Sequence, residues 1–314
     1  MGYLNTVLGP VHCEELGVAA VNEHLMWGPP GWDYDAGAWF EIGKVFEKCY
    51  HEVIDYRLHG GRTYVECSAI TPGRNLDIFV KIAQTSQVNI VASTGFAAEA
   101  YVSPYFKSKD ADYFEELFAH EIAEGMGHTR IKAGIIKVGA SGDKFTKLEE
   151  MILRAAARAA KKTGAPLITE CGRFAMKHLD ILKEEKLDPA RIIIGHLDSK
   201  DNMDIERDKK IARGGAYLAY DQVGMEDVWC GTSGAMPDDR RVELVQAMLK
   251  AGFKDRLLLS ASSNSWTLGH GEQLLHNSAN MLRYFVPKLK KAGVSEEAIN
   301  GILVDNPKRV LPIQ

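Results

Sequence analysis

Cysteine is scarce in this sequence, and its spacing excludes a disulfide framework. The five cysteines, Cys13, Cys49, Cys67, Cys171 and Cys230, are odd in number and widely separated. Small secreted proteins that depend on disulfides carry an even set at short, regular spacing. We therefore expect free thiols and a reducing, cytoplasmic location.

Long hydrophobic runs and an excess of positive charge are also lacking. No apolar run approaches the length of about 20 residues that spans a bilayer. The first residues lack the basic-then-apolar pattern of a signal peptide. A net charge of -4 gives no electrostatic footprint for nucleic acid. We expect a small-molecule substrate as the partner, and neither nucleic acid nor a membrane.

The sequence does contain a regular alternation of buried-strand and helix patterns. Continuous apolar runs are typical of parallel strands that are covered on both faces. Helical patterns separate them; one opens with Thr146 and Glu149 as a capping box and stops at Gly164. The pattern predicts a single (β/α)8 TIM barrel, an α/β fold, as one domain over residues 1–314. No glycine-rich dinucleotide fingerprint supports a doubly wound sheet instead. The eight runs are residues 18–22, 63–68, 89–94, 130–137, 166–170, 191–196, 216–221 and 256–261.

Polar residues close most of these runs, and Lys137 is the most informative of them. It ends an apolar run that begins at Ala133. A buried ammonium group is unfavourable unless it is paired, neutralised or chemically modified. Since the active site of a (β/α)8 barrel lies at the carboxyl ends of its strands, we predict a functional site there. The other polar residues at strand ends are Asn22, Glu23, His24, Glu66, Glu170, His196 and Asp221.

Seven different short motifs lie at the start of the chain, at the predicted strand ends and near the C-terminus. They are Asn5-Thr6-Val7-Leu8-Gly9-Pro10, Asn22-Glu23-His24-Leu25, Gly73-Arg74, Thr94-Gly95-Phe96, Ile136-Lys137-Val138-Gly139, Ile194-Gly195-His196 and Val304-Asp305-Asn306-Pro307. Together they resemble the phosphotriesterase-like branch of the amidohydrolase superfamily. The resemblance implies a TIM barrel whose typical members hold two divalent metals bridged by a carbamylated lysine. In those members the metals activate a water that attacks an ester, lactone or phosphotriester.

Three of the six metal-ligand positions implied by the resemblance carry a different residue. The family pattern has His-x-His after the first strand, a histidine closing the fifth and His-Asp after the eighth. This chain has Asn22, Glu170 and Ser262 at those positions. In the family, the lost aspartate both binds metal and handles the proton of the water. The matching positions are His24, Lys137 and His196.

Two interpretations of the metal content stay open. In the first, no metal is bound, and Lys137 and Glu170 neutralise each other from adjacent strands about 5 Å apart. In the second, one zinc-like divalent ion is bound by His24, Glu170, His196 and Lys137. We favour the metal-free interpretation, because the substitutions remove ligands at both metal positions.

We predict that Lys137, Glu170, His24 and His196 are the catalytic residues. The favoured function is hydrolysis of a small ester or lactone with a reduced or absent metal centre. A metal-free lyase or isomerase that acts next to a carbonyl is the alternative, because a carboxylate base and a lysine or histidine suffice for it. A non-catalytic barrel that binds a small molecule is the second alternative.

Further residues are predicted to line the substrate pocket or to lie beside it. Cys171 is a candidate nucleophile without an evident base, and His270 follows the eighth strand in a loop together with Trp266. The aromatic early segments are candidates for the interface of a homodimer. The predicted pocket residues are Asn22, Glu66, Tyr101, Asp221, Ser262 and Trp266.

Overall fold

A curled parallel sheet surrounded by helices forms the body of the protein. This computed structural model describes residues 2–38, 40–140, 142, 144–170, 172–226, 236–268 and 277–314. Within them, the sheet order is β10-β9-β8-β7-β6-β5-β4-β3-β11, and β1 and β2 form a separate antiparallel hairpin. The strands are β1 (Tyr3–Thr6), β2 (Gly9–His12), β3 (Val18–Trp27), β4 (Gly61–Glu66), β5 (Asn89–Phe96), β6 (Ile135–Gly139), β7 (Leu167–Glu170), β8 (Ile192–Gly195), β9 (Tyr217–Tyr220), β10 (Leu257–Leu259) and β11 (Asn264–Thr267).

Strands β10 and β11 are two halves of the eighth barrel strand, and together they close the sheet. β10 pairs with β9, whereas β11 pairs with β3 on the other side. Between them the chain bends at residues 260–263, where Ser262 adopts a left-handed φ of 46°. Ser262 N still donates to the carbonyl of Asn22, at 3.0 Å. The interrupted eighth strand therefore joins the seventh and the first strands and closes a TIM barrel.

The described helices lie outside the sheet, mostly between consecutive strands. Helix α5 begins at the predicted capping box, in which Thr146 and Glu149 bond each other's backbone N–H groups, and ends at Gly164 in the left-handed region. None of the described helices is long and apolar enough to cross a membrane. The α-helices are α1 (Ile42–Leu58), α2 (Leu76–Ser86), α3 (Pro104–Lys107), α4 (Ala111–Ala123), α5 (Lys147–Thr163), α6 (Ala175–Glu184), α7 (Ile205–Arg213), α8 (Asp238–Lys250), α9 (Val286–Lys291), α10 (Glu296–Asn300) and α11 (Asn306–Val310).

All eight predicted runs contain a barrel strand, so the predicted fold is confirmed. The first strand is longer than predicted: β3 continues past Asn22 to Trp27, which places His24 within the strand. The hairpin of β1 and β2 was not predicted, because it is short and only partly buried and contains Pro10. Trp266 was expected in a loop; it lies on β11 instead and packs into the hydrophobic core.

Two apolar layers fix the direction of each strand side chain. One lies between the sheet and the helices and includes Ile136 and Val138; the other fills the barrel and includes Ile135. Because side chains alternate along a strand, Lys137 projects to the same side as Ile135, into the barrel. The alternation therefore carries a lysine into the interior from the middle of β6.

His178 on α6 provides a test of acid stability. It is fully buried, its ring centroid lies 4.7 Å from that of Phe145, and neither ring nitrogen has a hydrogen-bond partner. Burial lowers the pKa of His178 to about 3. In the unfolded chain its pKa is about 6.5, so the unfolded state takes up a proton first as the pH falls. The stability that neutral His178 provides is present above pH 6.5 and is lost as the pH falls towards 3.

We expect His178→Leu to flatten the loss of stability below pH 6.5. Between pH 6.5 and 4.5 the wild-type protein should lose about 2–3 kcal/mol of unfolding free energy through this residue. Urea unfolding at several pH values measures the difference, with the exposed His51 on α1 replaced by leucine as the control. Equal slopes for His178→Leu and wild type would contradict the assignment.

Candidate active site

An ion pair between Lys137 and Glu170 lies at the centre of the candidate site. Lys137 is the middle residue of β6 and not its last as predicted, whereas Glu170 ends the adjacent strand β7. Lys137 Nζ lies 2.8 Å from Glu170 Oε1. Lys137 Nζ also donates to the carbonyl of Cys67 at 2.8 Å. Burial alone would raise the pKa of Glu170, but the charges of Lys137 and His196 hold it well below the usual range. The carboxylate is therefore ionised, and the fully buried ammonium has one hydrogen-bond acceptor, the Cys67 carbonyl, and one charged partner, Glu170.

His196 and Asp221 form a second charged pair beside the first. His196 Nδ1 and Asp221 Oδ1 are 2.9 Å apart, and the backbone N–H of His196 donates to the same oxygen at 2.9 Å. These two bonds hold His196 in the left-handed region, with φ at 56°. Burial opposes the charged ring, but Asp221 and Glu170 outweigh it and raise the pKa of His196 to about 9. Its other nitrogen, Nε2, lies 4.0 Å from Glu170 Oε2.

His24 lies against the same Glu170 oxygen as Lys137. Its Nε2 lies 3.6 Å from Glu170 Oε1, and its Nδ1 lies 3.3 Å from Ser68 Oγ. Ser68 Oγ also contacts the carbonyl of Met26 at 2.7 Å and makes a short contact with the buried carboxyl of Glu66. Burial, opposed by the nearby Glu170, lowers the pKa of His24, and burial raises that of Glu66 to about 7. At neutral pH, His24 is therefore uncharged and His196 is charged.

Asn22 and Ser262, two of the three substituted positions, are linked by hydrogen bonds: Asn22 to Asp221, and Ser262 to Asn22. Asn22 Nδ2 donates to Asp221 Oδ2 at 2.8 Å, and the Asn22 backbone N–H donates to Ser260 Oγ at 2.8 Å. The bond between Ser262 N and the Asn22 carbonyl brings the two residues together. Asn22 Oδ1 and Ser262 Oγ are both buried and make no hydrogen bond in the described structure.

Aromatic residues form one wall of the site. The Trp27 ring lies 4.8 Å from that of His24 and 5.3 Å from Lys137 Nζ. Its Nε1 donates to the hydroxyl of Tyr101 at 3.2 Å. Tyr101 thus lies beside the site through Trp27, whereas Trp266, also predicted as a pocket residue, packs into the core. Cys171 and His270 lie outside the described residues.

Sequence reasoning did not predict the roles of Ser68 and Glu23, which hydrogen-bond groups beside the site. Ser68, which links Glu66 to His24, follows an apolar run and carries no signal of its own. Glu23 accepts hydrogen bonds from Ser260 Oγ at 2.6 Å and from the backbone of Ala261 at 2.7 Å. Burial raises the pKa of Glu23 to about 7. The signal in the sequence was a carboxyl group, that of Glu23, inside an apolar strand; in the structure this group bonds the bend in the eighth strand.

The donor set does not fit the two-metal centre that the resemblance implies. Asn22 directs its amide nitrogen at Asp221, and Lys137 Nζ is enclosed by the Cys67 carbonyl and Glu170, an environment suited to an N–H donor. His24 and His196 face different oxygens of Glu170. In the part of the chain that the structure describes, no three His, Cys, Asp or Glu side chains are grouped so as to hold a metal ion.

Comparisons with known proteins agree with this barrel. An aryldialkylphosphatase of Saccharolobus solfataricus is 30% identical over 310 residues, which cover 95% of this chain and 96% of the relative. An N-acetyltaurine hydrolase of Xenopus tropicalis is 28% identical over 99% of this chain and 98% of its own. The crystal structure of a mutant PTE-like lactonase from Deinococcus radiodurans superposes with a TM-score of 0.91, at 29% identity, over 98% of this chain and 99% of that one. The model of the phosphotriesterase family matches residues 2–311, and the chain belongs to that family.

Proposed function

We propose that this protein hydrolyses a small ester or lactone without a metal, and that the Lys137–Glu170 ion pair takes the place of the metal centre. The observation that carries the proposal is the 2.8 Å contact between these two groups. In a low-dielectric interior, an ammonium and a carboxylate at this distance stabilise each other's charged forms. Hydrolase names among relatives, including a lactonase and an N-acetyltaurine hydrolase, support the reaction class.

His24 is the proposed general base. The single hydrogen of the Ser68 hydroxyl is directed to the Met26 carbonyl or to the Glu66 carboxyl, so Ser68 Oγ accepts from His24 Nδ1–H. This leaves an acceptor lone pair on His24 Nε2. Since Nε2 and Glu170 Oε1 are 3.6 Å apart, one water molecule can bond both. The water gives a proton to His24 as its oxygen attacks the carbonyl carbon.

His196 is the proposed general acid. With its pKa raised to about 9 by Asp221 and Glu170 against the effect of burial, its ring is protonated at neutral pH. A quarter of its side chain is exposed, whereas Lys137 is fully enclosed. When the tetrahedral intermediate collapses, the carbon–oxygen bond to the leaving group breaks, and His196 Nε2 gives that oxygen its proton. Lys137 acts through Glu170 and is a positioning residue.

Substrate screening tests the reaction class. Purified protein is incubated with panels of esters, of lactones and of enolisable ketones in ¹⁸O-labelled water. We expect ester or lactone turnover with one labelled oxygen in the acid product. Turnover of enolisable compounds alone, without label, would replace the proposal with the lyase or isomerase alternative. Binding without turnover of any panel would favour the non-catalytic barrel.

Metal removal tests the role of the ion pair. We expect protein purified without chelator to hold well under one equivalent of zinc, iron, cobalt or manganese, and to keep its activity after dialysis against a chelator. The physical reason is that amide and hydroxyl groups are weak replacements for imidazole and carboxylate ligands. Elemental analysis and intact mass measure the metal and any carboxylate on Lys137. One tightly held metal per chain, with activity lost on its removal, would refute a metal-free mechanism.

A further inference from the structure

The proposed hydrolytic mechanism gives no hydrogen-bond partner to two buried side-chain oxygen atoms, Asn22 Oδ1 and Ser262 Oγ. Asn22 is fully buried, and its amide orientation follows from chemistry: a carboxylate only accepts, so the nitrogen must face Asp221. The atom left without a partner is therefore Oδ1, a hydrogen-bond acceptor. Burying an acceptor without a donor is unfavourable, and native proteins rarely keep one.

Ser262 adds a second, independent observation. Its hydroxyl is also buried and without a partner. Its backbone has a φ of 46°, in the left-handed region that serine rarely occupies. Strained residues of this kind persist where the surrounding structure dictates them, and they concentrate at functional sites. A glycine would relieve the strain, but it would also remove the hydroxyl.

We infer that Asn22 Oδ1 and Ser262 Oγ together bind an uncharged hydrogen-bond donor of the substrate, a hydroxyl next to the scissile carbonyl. The inference rests on the proposed hydrolysis and names the substrate class: hydroxy esters and hydroxy lactones. The donor lies near the carbonyl because Asn22 and His196 bond the two oxygens of one carboxylate, that of Asp221.

The charges around the pair favour a neutral donor over an ammonium group. Lys137 is balanced by Glu170, and protonated His196 by Asp221. No carboxylate is left over among these four groups to pair with a cation from the substrate. An added ammonium would also be repelled by both cations of the site. A hydroxyl satisfies the buried acceptor at no such cost, and Ser262 Oγ can accept from the same hydroxyl or donate to it.

Three lactones of one ring size test the subsite. They are α-hydroxy-γ-butyrolactone, its α-methoxy counterpart, which keeps the oxygen but cannot donate, and unsubstituted γ-butyrolactone. We expect kcat/KM for the hydroxylactone to exceed that for the methoxylactone by about 30-fold, because a site built around a donor rejects analogues that lack it. A ratio near one would overturn the inference, because the substrate hydroxyl would then make no use of the two acceptors.

Ser262→Gly is the variant of choice, because the left-handed backbone suits glycine and the fold should be retained. We expect it to lower the ratio of hydroxylactone to methoxylactone activity by about tenfold. Ser86→Ala removes a hydroxyl from an equally buried serine at the end of α2 and should leave the ratio as in wild type. An unchanged ratio in Ser262→Gly, with the fold verified by circular dichroism, would remove Ser262 from the subsite.

Ketone analogues separate this inference from the hydrolytic mechanism, because they carry no leaving group. Binding of 2-hydroxycyclopentanone, 2-methoxycyclopentanone and cyclopentanone is measured by saturation-transfer NMR and calorimetry. Preference for the hydroxyketone, without hydrolysis of any lactone, would support the subsite and refute the hydrolase. Lactone hydrolysis without any hydroxyl preference in either series would support the hydrolase and overturn the subsite.

Discussion

Glu170→Ala should destabilise the protein by about 3–5 kcal/mol, because it leaves the Lys137 ammonium buried without a charged partner. The side chain of Lys137 is fully enclosed, and besides its ion pair with Glu170 it bonds the Cys67 carbonyl at 2.8 Å. For a chain of this size, the melting temperature should fall by on the order of 10 °C. Activity should fall at least about 100-fold, since Glu170 helps to hold the attacking water. Thermal unfolding and steady-state kinetics measure the two effects.

A double variant and a surface control make this result specific. Lys137→Met combined with Glu170→Leu removes both charges, and its stability should recover to within about 1–2 kcal/mol of wild type. Glu150→Ala removes a partly exposed surface carboxylate that lies 2.9 Å from Arg154, and it should cost less than about 1 kcal/mol. If Glu170→Ala melts like wild type, Lys137 is not a buried cation, and carbamylation of its amine becomes the better description.

Strand spacing was sufficient to predict the barrel, because continuous apolar runs and capped helices are local features. The apolar run before Lys137 also predicted a buried lysine near a strand end, with Glu170 on the adjacent strand as its partner. The divided eighth strand was not predictable. Its break depends on Ser262 adopting a left-handed φ and on Glu23 bonding the bend across more than 200 positions of sequence.

The structure brings the four candidate site residues close together, but the sequence did not predict that the pKa values of the two histidines shift in opposite directions. Strand ends gave Lys137, Glu170, His24 and His196, but their sequence positions do not tell the two histidines apart. Their difference comes from their partners: a carboxylate, Asp221, for one ring and a serine hydroxyl for the other. Partners of this kind come from distant strands, and apolar periodicity does not reveal which side chains will meet.

Asp221 provides the second large effect, because it determines the charge of His196. Asp221→Asn keeps the size of the side chain, but its amide can no longer accept from both His196 Nδ1 and Asn22 Nδ2. Without the carboxylate the pKa of His196 should fall below its present value of about 9, which Asp221 and Glu170 maintain against burial. If His196 is the general acid, kcat should drop by about 10²- to 10⁴-fold.

The pH dependence distinguishes a lost acid from a damaged fold. In the wild-type protein, activity should decline on the acid side below pH 6.5, as His24 takes up a proton, and on the alkaline side near pH 9, as His196 loses one. The raised pKa of His196 also contributes stability that is complete below pH 6.5 and lost as the pH rises through about 9.

In Asp221→Asn the alkaline limb should move to lower pH, and histidine NMR, with His196→Gln to assign the signal, should report the same shift. Asp208→Asn, in an equally buried aspartate bonded to Arg207 and Tyr220, should leave that limb in place. An alkaline limb that stays near pH 9 in Asp221→Asn would show that another group is the acid.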